Sequence, residues 1–249
     1  MVGFNSDYKK IILMCPTYGR SKTYLPRYVE TAVKTVSDPK NVDFMFCVNE
    51  NDSLTEGAIR GFKYNGCAWS CVKENLPRPN LAKFFNLMYA HVLDPGVVVT
   101  MMGDDMEFRT PGWDRRMLDL INSYQGVGVF WANDDYIARE RMCVNMFVTS
   151  DFVHATERPF MDERFEADMI DYLWYKVGQY TKTLHFDPDT HIWHNHNTRK
   201  PAAAWDNTFK RLAPGRAQGA RVGKGEAKRI AAEIAEILKR KGLVGESIC

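Results

Sequence analysis

Residues 97–108 read Val-Val-Val-Thr-Met-Met-Gly-Asp-Asp-Met-Glu-Phe, an apolar run that ends in adjacent carboxylates, Asp104 and Asp105, with Glu107 two positions on. Carboxylates beside a core strand are costly to desolvate unless a cation, hydrogen-bond donors or solvent meet them. A divalent ion gripped by one or two carboxylates and completed by phosphate oxygens is the chemistry such a pair serves. An Asp-capped turn is the plainer use, and Pro111-Gly112 shows that a turn follows. The stretch from His191 to His196 holds three histidines in six residues. In an extended segment His194 and His196 alternate onto one side, where both could join a metal site. No CxxC pair accompanies them, and a structural zinc site is not expected.

The elements that must position these groups follow from the patterning. Residues 11–15, 43–48, 68–72, 97–102 and 127–131 have strand length and strand composition. A helix capped by Ser21 and delayed by Pro26 separates the first two, and one capped by Asn80 and stopped by Asp94-Pro95-Gly96 separates the third and fourth. This alternation predicts right-handed crossovers and an α/β fold around a mixed, mostly parallel sheet, with ligands beyond the carboxyl ends of the strands. Further on, residues 141–149 read as a strand, 164–177 as a helix ended by Val177-Gly178, and 180–186 as a strand. Residues 213–225, rich in Gly, Ala and Arg, read as a linker. They would separate a domain of residues 1–212 from a basic helical tail, 226–249, with Ile230, Ile234, Ile237 and Leu238 as its apolar stripe.

The first strand ends in Pro16-Thr-Tyr-Gly-Arg20 and the second in Val48-Asn-Glu-Asn-Asp-Ser53. Together with the Asp104/Asp105 turn, these segments resemble the GT-A nucleotide-sugar glycosyltransferases of the family 2 type. That family opens with Pro-Thr-Tyr-Asn-Arg or similar, continues to an acidic second strand end, and then reaches an Asp-x-Asp turn. Gly19 stands here for Asn, and Gly-Asp-Asp for the strict Asp-x-Asp. Pro111-Gly-Trp113 and residues 160–172 also look like the family's later segments, so the resemblance covers about residues 10–210. It implies Pro16, Thr17, Tyr18, Arg20, Glu50, Asp52 and Asp104 at the donor, and Asp105 with His194 or His196 on a Mn²⁺ or Mg²⁺ ion. It also implies Asp168, or failing it Glu166, as general base, with inversion at the sugar. A UDP-sugar is the favoured donor.

The formal net charge of +2 conceals an asymmetry: residues 1–198 carry a net −5 and residues 199–241 a net +8. The basic stretch, with Arg199, Lys200, Lys210 and Arg211 and the aromatic Trp205, suits a phosphate backbone with stacked bases, although a solvated helix would look similar. Trp113 joins this set of candidate acceptor contacts. A glycosyltransferase acting on hydroxylated DNA bases, of the bacteriophage type, would explain the tail. The balance of charged and apolar residues excludes a disordered chain, and no apolar run reaches the length of a bilayer span. Six scattered cysteines, several inside apolar runs, fit reduced thiols and a cytoplasmic setting. Two other classes share parts of the pattern. A nucleotidyltransferase would need a Gly-rich basic loop, of which Tyr18-Gly-Arg-Ser-Lys22 is a faint version, and a non-catalytic binding protein would leave the aspartates and histidines without a joint purpose.

Overall fold

Every residue of the strand Ile11–Pro16 (β1) is buried, which an unbroken apolar run achieves only when both faces of its sheet are covered. The computed structural model describes residue 4 and residues 7–75, 80–135, 139–165, 169–195 and 207–245, with the backbone alone for 207–222. From β1 the chain passes through helix α1 (Tyr24–Thr35) to β2 (Val42–Asn49), and through α2 (Ser53–Gly61) to β3 (Ala68–Glu74). Helix α3 (Leu81–Ala90) then leads to β4 (Val98–Met101). There follow β5 (Met106–Phe108), α4 (Trp113–Ser123), β6 (Val129–Asn133), β7 (Met146–Thr149) and α5 (Ser150–Ala155). Helix α6 (Ile170–Thr181), β8 (Leu184–His194) and α7 (Asn207–Arg240) complete the chain.

The strands form one sheet in the order β3-β2-β1-β4-β7-β6-β8-β5. The first four are parallel neighbours, so the ends of β1, β2 and β4 open on the same edge. Beyond β4 the pairing with β7 and of β7 with β6 is antiparallel, whereas β6 and β8 run parallel. Alternation along β1 divides the interior: Ile12 and Met14 join α3, α6 and α7 on one face, and Ile11, Leu13 and Cys15 join α1 and α4 on the other. Helix α3 begins as its sequence demands, the Asn80 side chain accepting from the Lys83 amide at 2.9 Å. Among the described residues no helix is long and apolar enough to cross a membrane, and the five described cysteines are free.

Four elements differ from expectation for identifiable reasons. The strand expected at 141–149 shortens to β7, because the buried Asn145 amide accepts from Ala132 N and donates to Ile192 O, bridging the flanking strands itself. Helix α6 starts at Ile170 rather than 164, behind Met169 at φ 76°, and runs past Gly178. That glycine is a packing position and no stop: a Cβ there would lie 2.4 Å from Leu184 Cδ2. The last strand is consequently 184–194, with residues 188–190 left outside the ladder where Ala132 pairs with Asp187 and Asn133 with His191. Residues 213–225 are helical within α7, and the break comes at Gly223 (φ 87°).

Nor is the C-terminal helix an appendage. Ile230, Ile234 and Leu238 are buried in the same apolar cluster as Met14, Phe85 and Trp174. Leu238→Ala should therefore destabilise the whole domain by about 2–5 kcal/mol, the usual cost of emptying a well-packed leucine site. Urea unfolding checks this: a midpoint equal to wild type would return residues 226–249 to the status of a tail.

Candidate functional site

Where β1 ends, the parallel ladder continues one step further, Thr17 N donating to Cys47 O at 3.0 Å. This aims the Thr17 hydroxyl at the turn after β4, and it donates to Asp104 Oδ2 at 2.6 Å. Arg20, three residues on, closes a short ion pair with the other Asp104 oxygen and lies 3.9 Å from Asp105 Oδ2. Its guanidinium also rests over the Tyr24 ring at 4.9 Å. Asp104 is 2% exposed and Arg20 8%, so this is a buried pair. Burial pushes the Asp104 carboxyl above the ordinary range, Arg20 draws it back down, and the neighbouring Asp105 pushes it up again.

The turn itself is compact. Met106 N donates to Gly103 O at 3.3 Å. A Cβ at Gly103 would fall 2.6 Å from Asp105 Oδ1, so a side chain there would displace the carboxylate. This is the physical counterpart of Gly-Asp-Asp in place of Asp-x-Asp. The last strand holds the turn from its other side. Met106 is registered with His194, and Asn195 N donates to Asp105 O at 2.9 Å. His194 Nε2 thereby comes within 3.5 Å of Asp105 Oδ1, while its own amide donates to Asp134 O at 3.1 Å.

Thr17, Arg20, Asp104, Asp105 and His194 are thus one cluster, built from the ends of β1, β4 and β8. Pro16 closes β1, and the half-buried Tyr18 follows on the loop. At the end of β2, Asp52 spends both oxygens on backbone donors, accepting from Thr55 N at 3.1 Å and Gly19 N at 2.6 Å. It caps α2 and ties the two strand ends together. Glu50 is exposed beside it, with its amide donating to Glu74 O at 3.2 Å. Asn49, within the second-strand segment 48–53 whose amides could meet a base or ribose, is buried at the same end; Tyr24 was not anticipated, and no spacing in the sequence marks it. Asp134 was also missed, although Asp134-Asp135 repeats the signature of two aspartates after an apolar strand.

One expected acceptor contact is corrected. Trp113 is fully buried as the first residue of α4, its ring 4.4 Å from Phe108 and 6.4 Å from Phe147, centroid to centroid, so it supports the fold and meets no ligand. Glu166, Asp168, His196, Arg199, Lys200 and Trp205 lie outside the described residues, as do the side chains of Lys210 and Arg211.

The chemistry of the donor set bears on a metal. Asp105 and His194 offer a carboxylate and an imidazole, and no third metal-ligating side chain gathers around them among the described residues. The described residues form no all-protein cage there. A hard divalent ion that takes one or two protein ligands and the oxygens of a diphosphate fits this pair.

No protein-family model matches the chain, and no curated protein matches its sequence. Solved structures match its fold. Residues 1–349 of TarS from S. aureus, in complex with UDP-GlcNAc, align at TM-score 0.59 and 10% identity, over 93% of this chain and 73% of that one. The mannosyltransferase PcManGT from Pyrobaculum calidifontis, in complex with GDP-Man and Mn²⁺, aligns at TM-score 0.59 and 12% identity, over 99% and 79%. A mycobacterial protein aligns at TM-score 0.54 and 13% identity, over 96% and 76%. The architecture is that of the GT-A glycosyltransferases, a curled mixed sheet flanked by helices.

Proposed function

We propose that this chain is a metal-dependent glycosyltransferase that moves a sugar from a nucleotide-sugar donor, a UDP-sugar first among candidates, to an acceptor hydroxyl. The observation that carries the reading is the convergence of Asp105 and His194 beside Thr17, Arg20 and Asp104, at the carboxyl ends where a parallel sheet collects ligands. Asp105 and His194 would hold Mn²⁺ or Mg²⁺, which when bound supplies neutralisation of the charge that develops on the departing diphosphate. Tyr18, Glu50 and Asn49 border the space for base and ribose. Asp168, with Glu166 as the alternative, would accept the proton of the attacking hydroxyl as it meets the opposite face of the anomeric carbon, inverting it.

A thermal-shift screen of UDP-, GDP-, CMP- and dTDP-sugars with Mn²⁺ names the donor. With that donor, Asp168→Asn is expected to lower turnover by about 10²–10⁴-fold, the usual contribution of a general base, and to leave the donor-induced shift intact. Unchanged turnover would remove Asp168 from the role. For the acceptor, the net +8 over residues 199–241 favours a polyanion, and a hydroxylated base in bacteriophage-type modified DNA combines phosphate with the needed hydroxyl. Transfer to such DNA should then fall steeply, by about 10³-fold or more for six or more phosphate contacts, between 50 and 200 mM salt. Indifference to salt would exclude this acceptor.

A further inference from the structure

The two flanks of α7 carry different kinds of charge. Around the buried stripe Ala227, Ile230, Ala231, Ile234 and Leu238, helical spacing puts Glu226, Arg229 and Glu233 on one side and Lys224 and Lys228 on the other. The first flank is neutralised: Arg229 pairs with Glu226 and Glu233, and these pair with Arg164 and Arg158. The second is not. Neither helix sets a carboxylate three or four positions from Lys224, from Lys228, or from Lys176, which α6 adds to the same face. Among the described residues, none of the three lysines forms an ion pair.

Their ammonium groups are nonetheless gathered. That of Lys176 lies 5.2 Å from the Tyr172 ring centroid and 5.7 Å from that of Tyr175, and that of Lys224 lies 5.9 Å from the same Tyr172 ring. One aromatic ring thus attracts cations from two helices. Lys228 follows Lys224 by one turn, about 6 Å along the axis, which is comparable with the step between successive phosphates of a strand. Burial, and then the charges of Lys228 and Lys224, lower the Lys176 ammonium below its ordinary range. Like charges held together without a counter-charge oppose folding, and an anion that meets all three relieves the repulsion.

Tyr175 ties this face to the candidate site, its ring centroid 6.3 Å from that of Trp131 on β6. Three residues further, about 10 Å of strand, the Asp134 carbonyl accepts from His194 N at 3.1 Å. We propose that Lys176, Lys224 and Lys228 form a docking face for the phosphate backbone of DNA, which grips the acceptor a few nucleotides away from the reacting hydroxyl. A lipid surface offers phosphate too, but helices that lie on membranes also insert apolar side chains. The large hydrophobic residues exposed among those described, Leu54, Trp69, Leu93 and Tyr124, lie off both α6 and α7. The choice of DNA rests on the acceptor reading above; binding at this face needs neither donor nor metal.

Fluorescence anisotropy of the full chain with duplex DNA of unmodified bases, titrated without donor or metal at several salt concentrations, tests it. Wild type should bind with a steep salt dependence. Lys224→Gln with Lys228→Gln should lower the slope of log affinity against log salt by about 2, one phosphate contact per lysine, and weaken binding by about 10–100-fold at roughly 0.1 M salt. Lys176→Gln alone should lower the slope by about 1. Lys34→Gln with Lys63→Gln removes the same charge from exposed positions elsewhere and should keep the wild-type slope. Should the first double variant melt early, Lys224→Gln alone should still show half its change. An unchanged slope in the Lys224/Lys228 variant, or equal losses in the two double variants, overturns the proposal. So does a wild type that does not bind DNA, whether or not it binds vesicles of anionic phospholipid. A failure of the transferase reading is separately visible, as a chain that no nucleotide sugar stabilises in the thermal-shift screen. A failure of DNA as acceptor is visible as binding through this face with no transfer.

Discussion

Asp105→Asn is expected to abolish the Mn²⁺-dependent part of donor binding and, with it, turnover. The amide keeps the size and one oxygen of the carboxylate but loses the charge that a hard cation requires. Even groups that merely orient a metal ligand are worth about 10–100-fold in metal affinity, so a direct ligand should be worth at least on the order of 100-fold. His194 cannot compensate, because an imidazole without a carboxylate partner suits softer ions than Mg²⁺. Calorimetry of Mn²⁺ with UDP on wild type and variant measures the difference. Equal affinities would mean that the ion, if one binds, sits elsewhere, and the functional reading would fall with it.

Arg20→Ala should be the most destabilising change in the site. Removing the guanidinium leaves Asp104, 2% exposed, as a buried carboxylate whose remaining hydrogen-bond partner among the described residues is the Thr17 hydroxyl. Breaking one side of a buried pair costs roughly 3–5 kcal/mol. The pH dependence has a definite sign. Burial already raises the Asp104 carboxyl, and without Arg20 it rises further, so the charged form is the penalised one. A carboxyl raised in the folded state favours folding below its unfolded value and loses that contribution as pH climbs through the folded value. The deficit of Arg20→Ala relative to wild type should therefore be largest at neutral pH and shrink on acidification. Arg20→Met combined with Asp104→Asn should regain most of the loss, since neither partner then leaves an orphaned charge. Urea midpoints at two pH values decide it, and a deficit below about 1 kcal/mol at neutral pH would reclassify the contact as an exposed, uncoupled pair.

Much of the frame was legible from periodicity. The strands at 11–15, 43–48 and 97–102 were visible because buried parallel strands are continuous apolar runs, the exposed edge strand at 68–72 because Trp69, Cys71 and Val72 suit a pleated surface, and the Asn80 cap because its side chain acts locally. The adjacency of Asp104 to Thr17 could be anticipated from strand ends alone. The division of labour between the two aspartates could not, since it depends on where Arg20 folds, 84 residues away in sequence. Trp113 was misplaced for a related reason: an aromatic residue after Pro-Gly looks the same in sequence whether α4 turns it inward or outward. Gly178 reads as a helix stop, yet its function is to admit Leu184. The Gly/Ala/Arg composition of 213–225 reads as a linker, although Ala, Arg and Gln also favour helix.

The excursion at residues 188–190 has an evolutionary corollary. The residues that follow it face as their own partners dictate, His191 opposite Asn133 and His194 opposite Met106. The excursion lies outside that ladder, so its length can vary without moving the His194 imidazole from Asp105 provided both pairings are kept. A slip of the downstream pairing by one residue would instead turn His194 to the opposite face.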